Sequence, residues 1–160
     1  MPKQNKQRVT MERTYDGASI DDVWELWTTK AGIESWWGPD GFRVEVRKLD
    51  LRAGGELLYA MIAAGPEQIA FMERAGMPAV VESRITYREV RPSTHLSYVH
   101  LADFIPGVEP YDVETTLDLQ PTATGVRLTL CFDAMHEDIW TQRAVAGWES
   151  ELDKLAKVLA

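Results

Sequence analysis

The sequence predicts an α+β fold in which a long C-terminal helix covers a seven-stranded antiparallel sheet. Seven segments alternate apolar and polar side chains, as strands with one buried face do. Residues 136–159 instead repeat their apolar side chains at helical spacing over several turns. With 160 residues, 45% of them hydrophobic, the chain is long enough for one domain with a sizeable core. We therefore expect a single domain over residues 1–160, with residues 1–7 as a flexible tail.

The first predicted elements are a strand and two short helices. Residues 8–15 alternate apolar and polar side chains. Ser19 can cap the helix that follows, whose apolar side chains recur on one face. Thr28 or Thr29 can cap a second helix, which must end at Gly38-Pro39 because proline cannot continue it.

A hairpin and a short inserted helix come next. The pattern has period two from Phe42 and again through 57–61, which predicts two antiparallel strands. In the corner between them the paired glycines permit unusual backbone angles, and Asp50 and Arg52 can form a salt bridge. The segment 66–76 begins with proline, lacks β alternation and ends in glycine, so it predicts a helix of one or two turns.

Four further strands and the long helix complete the chain. The strands are predicted at about 80–91, 95–104, 111–121 and 125–134, and turn signals such as Ile105-Pro106-Gly107 separate them. Antiparallel sheets of this size twist and curl, so their concave face is the apolar surface available to the last helix. The predicted order is β-α-α-β-β-β-β-β-β-α, with the short helix inserted after the third strand.

Charge and composition exclude several classes of protein. Seventeen Lys and Arg against 25 Asp and Glu give a net charge of −8, which repels phosphate backbones and disfavours a nucleic-acid partner. Cys131 is the only cysteine, so neither an intramolecular disulfide nor a thiolate zinc cluster can form. No apolar run reaches the length of a membrane span, and the start lacks the apolar stretch of a secretory signal. We expect a cytoplasmic protein without membrane insertion.

The sequence carries no established catalytic or metal-binding motif. His95, His100 and His136 lack the spacing that brings metal ligands together. A phosphate-binding glycine loop, a nucleophile elbow and a Cys/His pair are also missing. We therefore expect no metal and no cofactor, and we assign no catalytic residue.

Four motifs resemble those of a known family. They are Val23-Trp24-Glu25-Leu26-Trp27-Thr28, Trp36-Trp37-Gly38-Pro39, Asp50-Leu51-Arg52-Ala53-Gly54-Gly55, and Gly147-Trp148 with Leu152. In this order they resemble the family related to the activator of the heat-shock-protein-90 ATPase, within the helix-grip (START-like, SRPBCC, Bet v-type) superfamily. The resemblance covers residues 8–160 and implies a cavity between the sheet and the gripped helix. It implies structural roles for Trp24, Trp36, Trp37, Gly38, Asp50, Arg52, Gly54, Gly55 and Gly147.

Strand parity and helix spacing select the residues that would line such a cavity. The sheet would contribute Tyr59, Met61, Ser83, Tyr87, Tyr98, His100 and Thr115. The long helix would contribute Trp148 and Leu152, and the inserted helix would provide Phe71 and Met72 as a lid. A few polar groups in an apolar pocket are typical of small-molecule sites, although buried tyrosine and histidine also pair inside ordinary cores.

The function predicted from these residues is binding of a small hydrophobic molecule. Superfamily members also act as cyclases or assist chaperones on the same scaffold, so the fold does not decide among these activities. One alternative is a co-chaperone that activates a heat-shock-protein ATPase. Another is a cyclase or dehydratase that uses His100 and Tyr98 as acid and base. The resemblance also allows a homodimer, for which the sequence shows no interface.

Overall fold

The computed structural model describes residues 7–38, 41–102 and 107–160. The elements are β1 (Arg8–Asp16), α1 (Ile20–Thr28), α2 (Lys30–Trp36), β2 (Phe42–Leu49), β3 (Glu56–Ala63), α3 (Pro66–Arg74), β4 (Val80–Arg91), β5 (His95–Ala102), β6 (Tyr111–Pro121), β7 (Gly125–Asp133) and α4 (Asp138–Leu159). This order confirms the predicted one. Residues 1–6 of the expected tail, Pro39 after the second helix and Ile105-Pro106 of a predicted turn lie outside the described residues.

The sheet has seven antiparallel strands in the order β1-β7-β6-β5-β4-β3-β2. Strands β2 to β7 are neighbours in chain order, and β1 pairs with β7 from Arg8 opposite Asp133 to Asp16 opposite Gly125. Because β1 and β2 form opposite edges, the chain between them must cross the sheet. Helices α1 and α2 make that crossing.

The two short helices are capped by the predicted residue types. The Ser19 hydroxyl accepts the N–H of Asp22 at 3.1 Å at the start of α1. Thr29, one of the two residues considered, caps α2 by accepting the N–H of Gly32 at 3.0 Å. Each cap satisfies a backbone donor that would otherwise lack a partner.

The glycine corner fastens the β2–β3 hairpin to β4. Gly54 has φ +84°, a conformation that side chains with a Cβ disfavour. Its N–H donates to the Tyr87 carbonyl at 2.8 Å, and the Tyr87 N–H donates to Gly55 at 2.9 Å. Arg52 Nε lies 2.9 Å from Asp50 Oδ2, which confirms the predicted salt bridge.

Tryptophans from the helices form one side of the core. Trp27 stacks on Trp148 of α4 with ring centroids 5.8 Å apart, and its ring centroid lies 4.7 Å from that of Trp36. The indole of Trp36 donates to the Leu26 carbonyl at 2.7 Å and so ties α2 to α1. All six tryptophans lie in helices or, for Trp37, directly after one. The tryptophans therefore belong to the helices that cover the sheet and not to its strands.

Helix α4 packs its apolar stripe against the sheet. Leu152 and Leu155 are fully buried in the same core as the inward side chains of β6 and β7. The Tyr15 hydroxyl of β1 donates to the Leu152 carbonyl at 3.4 Å. Within the described ranges, no helix combines the length and the apolar character that a membrane crossing needs.

Candidate functional site

A hollow of about 460 Å³ lies between α4 and the sheet, and we refer to it below as the hollow. Aromatic and aliphatic side chains make up most of its walls, with a few polar groups among them. It is lined by Trp37, Tyr59, Met61, Ile85, Tyr98, His100, Val113, Thr115, Phe132, Met135, Trp140, Arg143, Ala144, Gly147, Trp148 and Glu151.

Strand register builds the sheet wall. Tyr98 of β5 lies opposite Thr115 of β6, and His100, two residues further along β5, lies opposite Val113. Since side chains two residues apart in a strand share a face, all four point to the side that α4 covers. Tyr59 extends this wall from β3, two strands away in the sheet.

Helical spacing builds the opposite wall. Trp140, Ala144, Gly147, Trp148 and Glu151 recur at three- or four-residue intervals along α4 and therefore lie on one helix face. A Cβ added to Gly147 would meet no atom within 4 Å. Because Gly147 has no side chain, the surface of α4 is recessed at this position and leaves space for the hollow.

Trp37 connects the tryptophan core to the hollow. Its ring centroid lies 5.4 Å from that of Tyr59 in an edge-to-face arrangement and 6.4 Å from that of Tyr98. The side chain is buried, and its Nε1 donor has no hydrogen-bond partner in the described part of the chain. A buried donor without a partner is costly, so this indole is an energetically unfavourable feature beside the hollow.

Glu151 lies in the α4 wall, where its side chain contacts the backbone of Gly38. Its Oε1 accepts the Gly38 N–H at 2.8 Å, and Lys154 Nζ donates to the Gly38 carbonyl at 2.8 Å. Burial raises the pKa of Glu151 to about 7, although the Gly38 hydrogen bond and the Lys154 charge oppose that rise. This carboxyl therefore changes charge near neutral pH.

The other titratable groups in the sheet wall are neutral at pH 7. Burial, with a smaller effect of the Glu151 charge, raises the pKa of Tyr59 to about 12. Burial also places the pKa of Tyr98 well above its usual value. It lowers the pKa of His100, and Asp112 offsets that change only in part. The phenols can donate hydrogen bonds and the neutral imidazole can accept one.

The structure brings together six of the residues predicted for the cavity. These are Tyr59, Met61, Tyr98, His100, Thr115 and Trp148. The other sheet candidates and Leu152 lie beside or beneath the hollow. Ser83 is half-buried opposite Tyr59, Tyr87 packs edge-to-face against Tyr98 at 6.5 Å, and Leu152 is part of the filled core.

The expected lid does not reach the hollow. Phe71 is 57% exposed, and Met72, although buried, does not line the hollow. The N–H of Gly65, which precedes α3, donates to the Gly41 carbonyl at 2.9 Å. This bond anchors the start of α3 beside the edge strand β2, so the helix turns Phe71 to solvent.

Sequence reasoning missed Glu151, Trp140, Arg143 and Met135, and it gave Trp37 only a structural role. Glu151 follows Trp148 by three residues and therefore shares its helix face. The sequence signal that could have identified Glu151 is a charged residue within an apolar stripe of the helix. Its contact with Gly38 spans 113 residues of sequence, which no local pattern reveals.

The remaining motif residues support the site from a distance or lie elsewhere. Trp24 and Trp36 are buried in the core, Asp50, Arg52, Gly54 and Gly55 form the corner, and Gly38 contacts Glu151. His95 Nδ1 lies 2.6 Å from Asp118 Oδ1, and His136 Nδ1 lies 2.9 Å from the Tyr111 hydroxyl. In the ranges that the structure describes, no three His, Cys, Asp or Glu side chains are grouped to hold a metal ion.

Comparison with known families gives one match. A family described as "Activator of Hsp90 ATPase homolog 1-like protein" matches residues 17–160. No curated protein matches the chain at a significant level.

Solved structures similar to this chain share its fold. A protein from Chromobacterium violaceum has 20% sequence identity and a TM-score of 0.74, over 96% of this chain and 97% of that one. An AHSA1 protein from Silicibacter pomeroyi has 19% identity and a TM-score of 0.73, over 96% and 97%. An AHSA1-like protein from Aeromonas hydrophila has 21% identity and a TM-score of 0.70, over 94% and 90%. At these identities the likeness concerns the fold alone.

Proposed function

The chain belongs to the family of activator of Hsp90 ATPase homolog 1-like proteins, and we propose that it binds a small hydrophobic molecule in the hollow between the sheet and α4. The observation that carries the proposal is the hollow itself. Its volume of about 460 Å³ lies in the range of small-molecule sites, and its walls are mostly apolar.

The polar groups of the hollow suit recognition of such a ligand. Tyr59 and Tyr98 are neutral donors, and His100 is a neutral acceptor. Few polar groups among aromatic walls fix the orientation of a ligand without a large desolvation cost. This composition supports binding of a molecule with an apolar body and few polar atoms.

A fluorescence titration tests the proposal. N-phenylnaphthylamine is neutral, small enough for the hollow, and brightens when it leaves water. We expect saturable binding to the native protein. Gly147→Leu places a side chain in the hollow and should weaken binding about tenfold or more, since the new side chain takes the place of the ligand.

Ala146→Leu is the matched control, because Ala146 is the exposed neighbour of Gly147 on α4. This variant should bind the probe like the native protein. Equal binding by the two leucine variants, or no saturable binding at all, would contradict the proposal. Circular dichroism of both variants establishes that each is folded.

Acid–base catalysis in the same hollow is the second candidate. The observation that favours it is that Tyr98 and His100 line one hollow, on the same face of β5. The neutral imidazole could accept a proton while the phenol donates one. Mass spectrometry can follow turnover of β-hydroxycarbonyl compounds as loss of water. If this candidate holds, the native protein should catalyse this loss and His100→Ala should abolish it. Turnover that persists in His100→Ala would reject it.

Activation of a chaperone ATPase is supported by the family description alone. An ATPase assay with purified Hsp90 tests it directly. No stimulation at saturating protein would remove this alternative and leave the ligand-binding proposal unaffected.

A further inference from the structure

Glu151 is the one acidic side chain among the described residues that line the hollow. Its Oε1 accepts the Gly38 N–H. Its Oε2 has no hydrogen-bond partner in the described part of the chain, and the carboxyl group forms no salt bridge there. One carboxylate oxygen is therefore available to a ligand.

Neither nearby cation forms a salt bridge with this carboxyl group, although the Lys154 charge favours its ionised form. Lys154 directs its Nζ to the Gly38 carbonyl at 2.8 Å rather than to Glu151. Arg143 is exposed and lies over the ring of Trp140 at 4.9 Å. Because Arg143 precedes Glu151 by eight residues, about 12 Å of helix axis separates the two. Arg143 is thus too far from Glu151 to contact its carboxyl group.

The walls around Glu151 also favour positive charge. Trp37, Tyr59, Tyr98 and Trp148 line the same hollow. Aromatic faces carry partial negative charge and attract ammonium groups, most strongly where water is excluded. His100 has a lowered pKa, so it adds no positive charge at pH 7.

We infer that the ligand is a hydrophobic amine, whose ammonium group donates to Glu151 Oε2 while its apolar body packs against the aromatic walls. This inference rests on the ligand-binding function proposed above and narrows the chemical class of the ligand. An ammonium group supplies the ion-pair partner that this half-buried carboxylate lacks. A ligand carboxylate would instead be repelled by the ionised Glu151.

The inference predicts a coupling between binding and pH. Tyr59 from β3, Tyr98 from β5 and Lys154 from α4 lie close enough to interact with the charge of Glu151, and His100 from β5 lines the same hollow. Both phenols keep their protons between pH 6 and pH 8, and the lowered pKa keeps His100 neutral over most of that range. Glu151, with a pKa of about 7, changes charge within it.

The ionised form of Glu151 binds the ammonium group. Since a pKa of about 7 leaves the carboxyl group mostly protonated at pH 6 and mostly ionised at pH 8, amine affinity should rise about tenfold over that interval. The affinity of a neutral ligand should not follow this profile.

Calorimetric titration with three probes that share one apolar body tests the inference. The probes are naphthylmethylamine, naphthylmethanol and naphthylacetate. At pH 8 the amine should bind about tenfold or more tightly than the alcohol, because a charge-assisted hydrogen bond replaces a neutral one. The acetate should bind most weakly.

Glu151→Gln provides the decisive variant. Glutamine keeps an acceptor for the Gly38 N–H, so the contact that holds the side chain is retained. The variant should bind the amine no better than the alcohol and should lose the pH dependence. Glu149→Gln removes the same charge from an exposed position of α4 and should behave like the native protein.

The inference is overturned if the amine binds no better than the alcohol, if the acetate binds best, or if Glu151→Gln keeps the preference for the amine. When the alcohol and N-phenylnaphthylamine still bind in such a case, the proposed function stands without the amine. When none of the probes binds, both the amine inference and the proposed ligand-binding function fail. The pH profile of the native protein needs no variant, so it decides the matter even if Glu151→Gln does not fold.

Discussion

Gly38 and Glu151 are joined by a hydrogen bond of 2.8 Å that connects the chain after α2 to the wall of the hollow. Lys154, one helical turn beyond Glu151, holds the carbonyl of the same glycine at 2.8 Å. Two side chains of α4 thus bind the N–H and the carbonyl of one residue. Because Gly38 has φ +90°, its backbone takes a conformation that other residues adopt only with strain.

The half-buried carboxyl group of Glu151 should make the protein less stable as the pH rises. The folded pKa of Glu151 is about 7, above the unfolded value of about 4.3. Between these values the folded state binds more protons than the unfolded state, so the free energy of unfolding falls as pH rises and the loss is complete above pH 7. By this linkage Glu151 costs roughly 3–4 kcal/mol at pH 8.

Urea unfolding of Glu151→Gln measures this effect. Relative to the native protein, the variant should gain stability between pH 5 and pH 8, with Glu149→Gln as the control that shows no such gain. A constant difference between Glu151→Gln and the native protein over this interval would show that Glu151 does not titrate there.

Gly38→Ala should destabilise the fold more than Gly54→Ala does. Both glycines have positive φ, so alanine costs about 1–2 kcal/mol of backbone strain at either position. At Gly38 the new Cβ would also lie 3.3 Å from Val44 Cγ2, whereas at Gly54 it would meet no atom within 4 Å. Urea unfolding of the two variants gives the difference.

Gly38→Ala should also raise the pKa of Glu151 further. Displacement of the backbone would weaken the hydrogen bond from the Gly38 N–H, which lowers that pKa. The pH at which stability falls would move upward in this variant and stay unchanged in Gly54→Ala. Equal losses of stability and equal pH profiles would argue against the coupling.

Gly147→Ala should stabilise the protein and weaken its ligand binding. Glycine inside a helix costs about 0.5–1 kcal/mol relative to alanine, and the added Cβ meets no atom within 4 Å. Thermal unfolding should show the gain. The same methyl group reduces the hollow, so N-phenylnaphthylamine should bind less tightly. A variant that is less stable than the native protein would show that the helix needs the glycine.

Trp36→Phe should destabilise the junction of α1 and α2. The substitution removes the 2.7 Å hydrogen bond to the Leu26 carbonyl and leaves a small void in a fully buried site. We expect a loss of about 1–3 kcal/mol. Trp24→Phe, at a buried indole for which the described residues show no such bond, should cost less. Chemical unfolding of both variants distinguishes the two cases, and a smaller loss for Trp36→Phe would contradict the role assigned to its indole.

Much of the fold follows from local patterns in the sequence. Period-two alternation located all seven strands, and the strand ends agree within a few residues because turn residues and prolines interrupt the pattern sharply. Ser19 is a cap by virtue of its type and its place before an apolar helix. Parity along β5 also placed Tyr98 and His100 together, since side chains two residues apart share one face.

Tertiary structure decided what those patterns leave open. The sequence shows that α3 is a helix, but its anchoring at the β2 edge sends Phe71 to solvent instead of to the hollow. Glu151 appears in the sequence as one charge on an amphipathic helix. Only packing places it against Gly38, where it is half-buried, and raises its pKa to about 7, because that shift depends on the loss of water around the carboxyl group. Local periodicity thus sets which side chains face inward, while the distance between the packed elements sets which of them meet in the hollow.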